Sequence, residues 1–173
     1  MLFLDIECYS NYFLISFLHH KTGKIAAFEL HDTQPLQIDA IKKLMNNYTT
    51  VSFNGLSYDL PMIAAALKGF SNARLKTLSD SIIKSNLPSW RVCKDNNIFV
   101  PKIWDHIDLI EVAPGQASLK IYGGRMNAPK MQDLPLEPDA LIQPEQFELM
   151  RLYCANVFPT PVGVFPASGR KAA

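Results

Sequence analysis

A single α/β domain built around a mixed β-sheet is what the sequence predicts, and three observations predict it. Three short apolar runs follow one another near the N-terminus, and strand-like and helix-like segments alternate after them. The chain, at 173 residues with 48% apolar and 19% charged content, is long enough to bury one core and has an ordinary globular balance.

LFLDIEC at 2–8 is dense in apolar residues; after the turn signal Ser10 and Asn11 a second run, YFLISFLHH, begins at Tyr12, and Thr22 and Gly23 turn into KIAAFEL at 24–30. These runs predict three adjacent strands in an antiparallel meander. His31, Asp32 and Thr33 ahead of Pro35 look like a helix start, and Leu36, Ile38, Ile41, Leu44 and Met45 share one helical stripe, so an amphipathic helix is expected over 35–47. TTVSF at 49–53 is β-branched and aromatic and stops at Asn54 and Gly55. Asp59 then precedes LPMIAAALKGF, with Pro61 in a first turn and Gly69 as the stop, which puts Asp59 at a helix N-terminus.

A further helix is expected over 75–87, ending before Pro88. From 88 to 135 the signals weaken: DHIDLIEV at 105–112 reads as a strand or short helix, and 117–122 as a helical turn ending at Gly123 and Gly124. Pro144 opens a last helix carrying Phe147, Met150, Leu152 and Tyr153. Beyond Asn156 the composition changes: residues 157–173 hold three prolines and two glycines without any period. The domain is therefore read as 1–156, with 157–173 an irregular tail foreign to the fold.

Net charge is +1, so no global basic excess advertises a nucleic-acid partner. The three cysteines lack metal-ligand spacing and are expected as reduced thiols in a cytoplasm, with Cys8 and Cys154 acting as small buried hydrophobes. No signal-peptide pattern opens the chain, and the apolar run at 11–18 is too short to span a bilayer, so neither export nor membrane insertion is expected. His19, His20 and His106 have no serine or cysteine at a recognisable spacing, which argues against a hydrolase triad. Trp90 and Trp104 are read as core or loop anchors rather than base-stacking platforms.

Asp5 and Glu7 are the most informative residues. Side chains alternate across a strand, so both project from one face and set two carboxylates side by side in a buried segment. Two anions so placed repel unless a cation joins them, and hard oxygen ligands suit Mg²⁺ or Mn²⁺. An isolated Asp-x-Glu is nevertheless common, and one carboxylate could cap a turn while the other lies at a strand end. The second element, NGLSYD from Asn54 to Asp59, ends a strand and opens a helix, an arrangement that can bring a third carboxylate to the same sheet edge. Taken alone, Asp59 reads first as an N-cap, a role Asp commonly fills.

Together the two elements resemble the first and second motifs of the DEDD, or DnaQ-like, 3′–5′ exonucleases of the ribonuclease-H-like superfamily: LFLDIE at 2–7 and SFNGLSYDLPMI at 52–63. With HIDLIEV at 106–112, SLKIYGGRMNAPKMQDLP at 118–135 and RLYCAN at 151–156, the chain looks similar to proofreading domains of bacteriophage DNA polymerases over about 1–156. The resemblance implies a mixed sheet in which parallel strands extend the meander, and removal of nucleotides from single-stranded DNA 3′ ends. Metal ligands do not read a 2′-hydroxyl, so RNA stays open as a substrate. It also implies a two-ion Mg²⁺ or Mn²⁺ site in which Asp5 bridges both ions, Glu7 holds one and orients water, and Asp59 serves the second. The implied partners are a DNA polymerase or another replication protein, in the cytoplasm of a bacterial host.

The third motif of that family is Tyr or His, three residues, then Asp. Tyr153 matches the aromatic, whose hydroxyl would position the attacking water, but Val157 stands where the Asp belongs. Valine cannot bind a hard cation, so the first metal site should be weakened. Because the departure coincides with the compositional break, a truncation or changed reading frame at about residue 157 is expected. The alternative is a module that keeps the fold without catalysis and binds nucleic acid or a protein partner. Asn54, Tyr58, Lys120, Tyr122 and Arg125 are candidates for contacting the substrate, and Asp108 is a candidate substitute ligand.

Overall fold

The computed structural model describes residues 1–112 and 135–157, the side chains of Val112, Asn156 and Val157 excepted. The expected turn at 117–122, the candidates Lys120, Tyr122 and Arg125, and the tail from 158 onward lie outside the described residues.

Strands β1 (Leu2–Cys8), β2 (Phe13–His19) and β3 (Ile25–Leu30) form the antiparallel meander, with Asp5 opposite Ser16 and Glu7 opposite Leu14. Helix α1 (Ile38–Asn47) leads into β4 (Thr50–Ser52), and helices α2 (Asp59–Leu67), α3 (Asn72–Lys84) and α4 (Ser89–Asp95) follow. Strand β5 (His106–Asp108) runs straight into α5 (Leu109–Val112). A 3₁₀ turn at Pro144–Gln146 opens the last helix, α6 (Phe147–Val157), which runs one residue past the compositional break. The result is a five-stranded mixed sheet in the order β3-β2-β1-β4-β5, with β4 parallel to β1 and β5 parallel to β4. Among the described residues no helix is long and apolar enough to cross a membrane.

The two faces of the sheet follow from alternation along β1. Leu2, Leu4 and Ile6 point into the main core, which Phe13, Ile15 and Phe17 of β2 complete and helices α1 to α4 cover with Ile41, Leu60, Ile63, Leu75 and Val92. The other face is covered at one end by α6, where Leu14, Met150 and Cys154 pack with Tyr9 and Tyr12. Phe3, Val51 and Leu109 pack together beside it. Asp5 and Glu7 have the odd-numbered parity of Phe3 and so share this second face.

Several boundaries differ from the sequence expectation, each for a local reason. His31 and Gln34 exchange backbone hydrogen bonds of 3.0 Å in a tight turn, so the polar cluster there closes a turn and α1 begins only at Ile38. Ser71 caps α3 by accepting from the Arg74 amide, which starts that helix three residues earlier than expected. Helix α4 was not foreseen; Pro88 begins it rather than ending its predecessor, and its buried Val92 and Cys93 are one apolar pair on a polar turn. Trp104 is 9% exposed, as expected of an anchor, but Trp90 is 63% exposed and anchors nothing.

Helix α2 ends where glycine predicted. Gly69 takes φ +91°, and the amides of Gly69 and Phe70 bond back to the carbonyls of Ala66 and Ala65, the paired closure of a Schellman turn. The turn that leads into α2 is tighter still. Asn54 adopts φ +63°, and a Cβ added to Gly55 would sit 1.8 Å from Ser52 Oγ and 2.9 Å from His106 Nε2. Gly55→Ala is expected to cost about 1–3 kcal/mol by forced repacking, read as a lower urea midpoint at unchanged slope; an unshifted midpoint would show that this turn has slack.

Candidate functional site

Strand β4 is three residues long and pairs only with Leu2 and Phe3 of β1, so the second half of β1 runs on beyond its parallel neighbour. A crevice opens there, at the carboxyl ends of the central strands, where open α/β sheets commonly bind ligands. It forms a cleft of about 740 Å³ lined by Asp5, Asn54, Tyr58, Asp59, Ile83 and Trp90 among others. Glu7 opens onto an adjoining hollow of about 400 Å³ that shares Tyr58 and Ile83.

Asp59 reaches this cleft through the turn that Asp108 organises. The buried Asp108 carboxylate accepts from the amides of Asn54 at 2.7 Å, Leu56 at 2.9 Å and Ile110 at 3.1 Å. Three backbone donors occupy most of its acceptor capacity, so Asp108 orders the loop between β4 and α2. Asp59 is the first residue of α2 and makes no capping bond; Tyr58 is the N-cap, without a side-chain bond. The Asp59 carboxylate instead meets the Ser52 hydroxyl. Ser52 Oγ lies 3.3 Å from His106 Nε2, and His106 Nδ1 lies 2.9 Å from Thr50 Oγ1. His106 thus has a serine neighbour that sequence spacing hid, but Ser52 sits between imidazole and carboxylate and is 2% exposed, which is not the order of a nucleophilic triad.

Asp5 and Glu7 project from β1 together with Cys154 of α6. One ligand atom from each of the three lies within 4.8 Å of the others, and Cys154 Sγ donates to Asp5 Oδ2 at 3.1 Å. Helix α6 is held in that position by Arg151, which donates to both oxygens of Glu29 on β3 at 2.7 and 2.9 Å, while the Tyr12 hydroxyl donates to the same carboxylate. Tyr153, the neighbour of Cys154, is half-buried near Tyr9 and Glu7. The expectation that Cys154 is only a small buried hydrophobe therefore needs correction. It is fully buried, yet its thiol touches a carboxylate, a contact between residues 149 positions apart that no local pattern announces.

The electrostatics of these groups share one cause. Burial pushes Asp5 from 3.8 up to about 6, opposed by the hydrogen bond from Cys154. Burial raises Glu7 well above its ordinary value, with repulsion from Asp5 and Asp59 adding to it. Asp59 is likewise raised by burial and then by Asp5, so the three carboxylates feel one another across the cleft. None of them forms an ion pair with a described residue. Ser16, opposite Asp5, places a buried hydroxyl beside Cys154. Asp5 and Glu7 offer hard oxygens that could hold Mg²⁺ or Mn²⁺, with the Cys154 thiol beside them.

A carboxyl whose folded pKa exceeds its unfolded one binds its proton more tightly in the fold. Its contribution is therefore full below 3.8 and lost as pH rises through about 6. Asp5→Asn is expected to raise stability at pH 7.5 by on the order of 2 kcal/mol in chelator and to flatten the stability profile between pH 4 and 7. Urea unfolding at several pH values measures it; an Asn variant less stable than wild type at pH 7.5 would refute the assigned strain. No family model matches this chain, and no curated protein or solved structure matches it either.

Proposed function

We propose that this chain is a DEDD-type nuclease domain of the ribonuclease-H-like class, which removes nucleotides from the 3′ end of single-stranded DNA with Mg²⁺ or Mn²⁺. The observation that carries the reading is that Asp5 and Asp59 line one cleft and Glu7 the hollow adjoining it, the three repelling one another with no ion pair among the described residues. A sheet in which two parallel strands extend a three-stranded meander supports it, as does the order of the motifs along the chain.

Each residue has a task that its surroundings suit. Asp5 and Glu7 would hold the cation from β1, and Asp59 would serve its other side, kept in place by Ser52 and the loop that Asp108 ties down. A divalent cation so held supplies charge stabilisation to a phosphodiester and lowers the pKa of water. Tyr153 would orient the attacking water through its hydroxyl, and Glu7, with a pKa lifted by burial, is suited to accept a proton from that water. Asn54 and Tyr58 line the cleft where a DNA strand would lie. The polymerase or replication partner belongs to the same proposal.

Val157 favours a second reading. It occupies the position of the fourth carboxylate at the end of α6, so the fold could have been kept as a binding module without catalysis. Incubation with a 3′-labelled single strand and Mn²⁺ separates the two. Slow shortening by the wild type, none by Asp5→Ala, and a rate at least about tenfold higher for Val157→Asp are expected, since one metal ligand contributes several kcal/mol to such transition states. If neither the wild type nor Val157→Asp shortens the strand while both still bind it, the catalytic reading falls and the binding module remains.

A further inference from the structure

We propose that Trp90 is a stacking platform for a base at the 3′ end of single-stranded DNA in the carboxylate cleft, an inference that rests on the nuclease reading for the identity of its ligand. Trp90 lies in the first turn of α4 and lines the same cleft as Asp5 and Asp59, yet its side chain is 63% exposed. An indole left in water at the mouth of a polar cleft forgoes the burial that tryptophan usually obtains, and no described aromatic ring stacks on it.

Its position is nevertheless fixed. Val92 and Cys93 on the same short helix are buried in the main core, and the amides of Arg91 and Val92 bond back to the Pro88 carbonyl, at 2.9 and 3.4 Å. The cleft wall is equally built: the Tyr58 hydroxyl is tied to Ser79 Oγ at 2.7 Å, and Ile82 and Ile83 of α3 stand beside it. An exposed indole on an anchored backbone therefore shares one cleft of about 740 Å³ with two carboxylates, Asp5 and Asp59. A ligand that satisfies both ends must carry an anionic group for a cation at the carboxylates and a flat apolar ring for the indole. A nucleotide has both, joined by a sugar, and stacking on an aromatic side chain is the general means of holding single strands without reading their sequence.

The binding test uses the full chain, Mg²⁺, and a 5′-fluorescein oligothymidylate of about eight nucleotides whose phosphorothioate linkages slow cleavage, beside the same strand with an abasic 3′-terminal residue. Wild type should bind the intact strand about tenfold more tightly than the abasic one by anisotropy. Trp90→Leu should bind both equally, at the abasic level, and Trp90→Phe should restore most of the preference; Trp90 is exposed, so the melting temperature of both variants should stay at the wild-type value. Retention of the intact-strand preference in Trp90→Leu, or its absence from the wild type, overturns the inference. Cleavage is scored separately: a wild type that shortens DNA while Trp90→Leu keeps its KM leaves the nuclease standing and removes the stacking role. A wild type that shows the base preference without cleavage does the opposite.

Discussion

Three carboxylates at one end of a sheet, Asp59 buried and Asp5 and Glu7 half-buried, repel one another and resist desolvation, and much of this structure can be understood as what keeps them there. Asp5 and Glu7 cannot move apart because β1 is registered against β2 along its whole length, so each side chain is fixed to one face and one height. Asp59 cannot withdraw because its helix is buried on nearly every side, with Leu60, Pro61, Met62, Ile63, Ala65 and Ala66 all inside. The cohesion of the apolar core offsets the strain of the charges.

The turn between β4 and α2 shows how that placement is achieved. Asp108 belongs to β5, the strand next to β4, and reaches across to bind the amides of the neighbouring turn. Gly55 lets the chain pass against Ser52 and His106 with no side chain of its own. One carboxylate thus serves the backbone so that another can serve the cleft. Asp108 lies close enough to raise the pKa of Asp59, while its own carboxylate is taken up by three backbone amides.

The far side of the site depends on α6, a helix distant in sequence from everything it touches. Phe147 stacks on Tyr12 at 4.9 Å, Asn11 exchanges hydrogen bonds of 2.8 and 2.9 Å with Ile142, and Arg151 grips Glu29. A single guanidinium nitrogen of Arg151 reaches both oxygens of that carboxylate. These contacts seat α6 with the Cys154 thiol against Asp5.

Sequence periodicity by itself determined the meander, the helix after Asn54 and Gly55, and the shared face of Asp5 and Glu7, because alternation in a strand and a glycine stop after a helix are local rules that need no partner. It also placed Asp59 at a helix start, though not its freedom from capping. Only the tertiary structure decided that Asp59 enters the cleft of Asp5, that Asp108 is spent on backbone amides, that Cys154 meets a carboxylate and that Trp90 stands in water beside the acids. Each of these depends on segments about fifty or more residues apart being packed together, or on a side chain being left uncovered. Hydrogen-bond direction and solvent exposure are properties of the packed chain, and no pattern within a single segment encodes them.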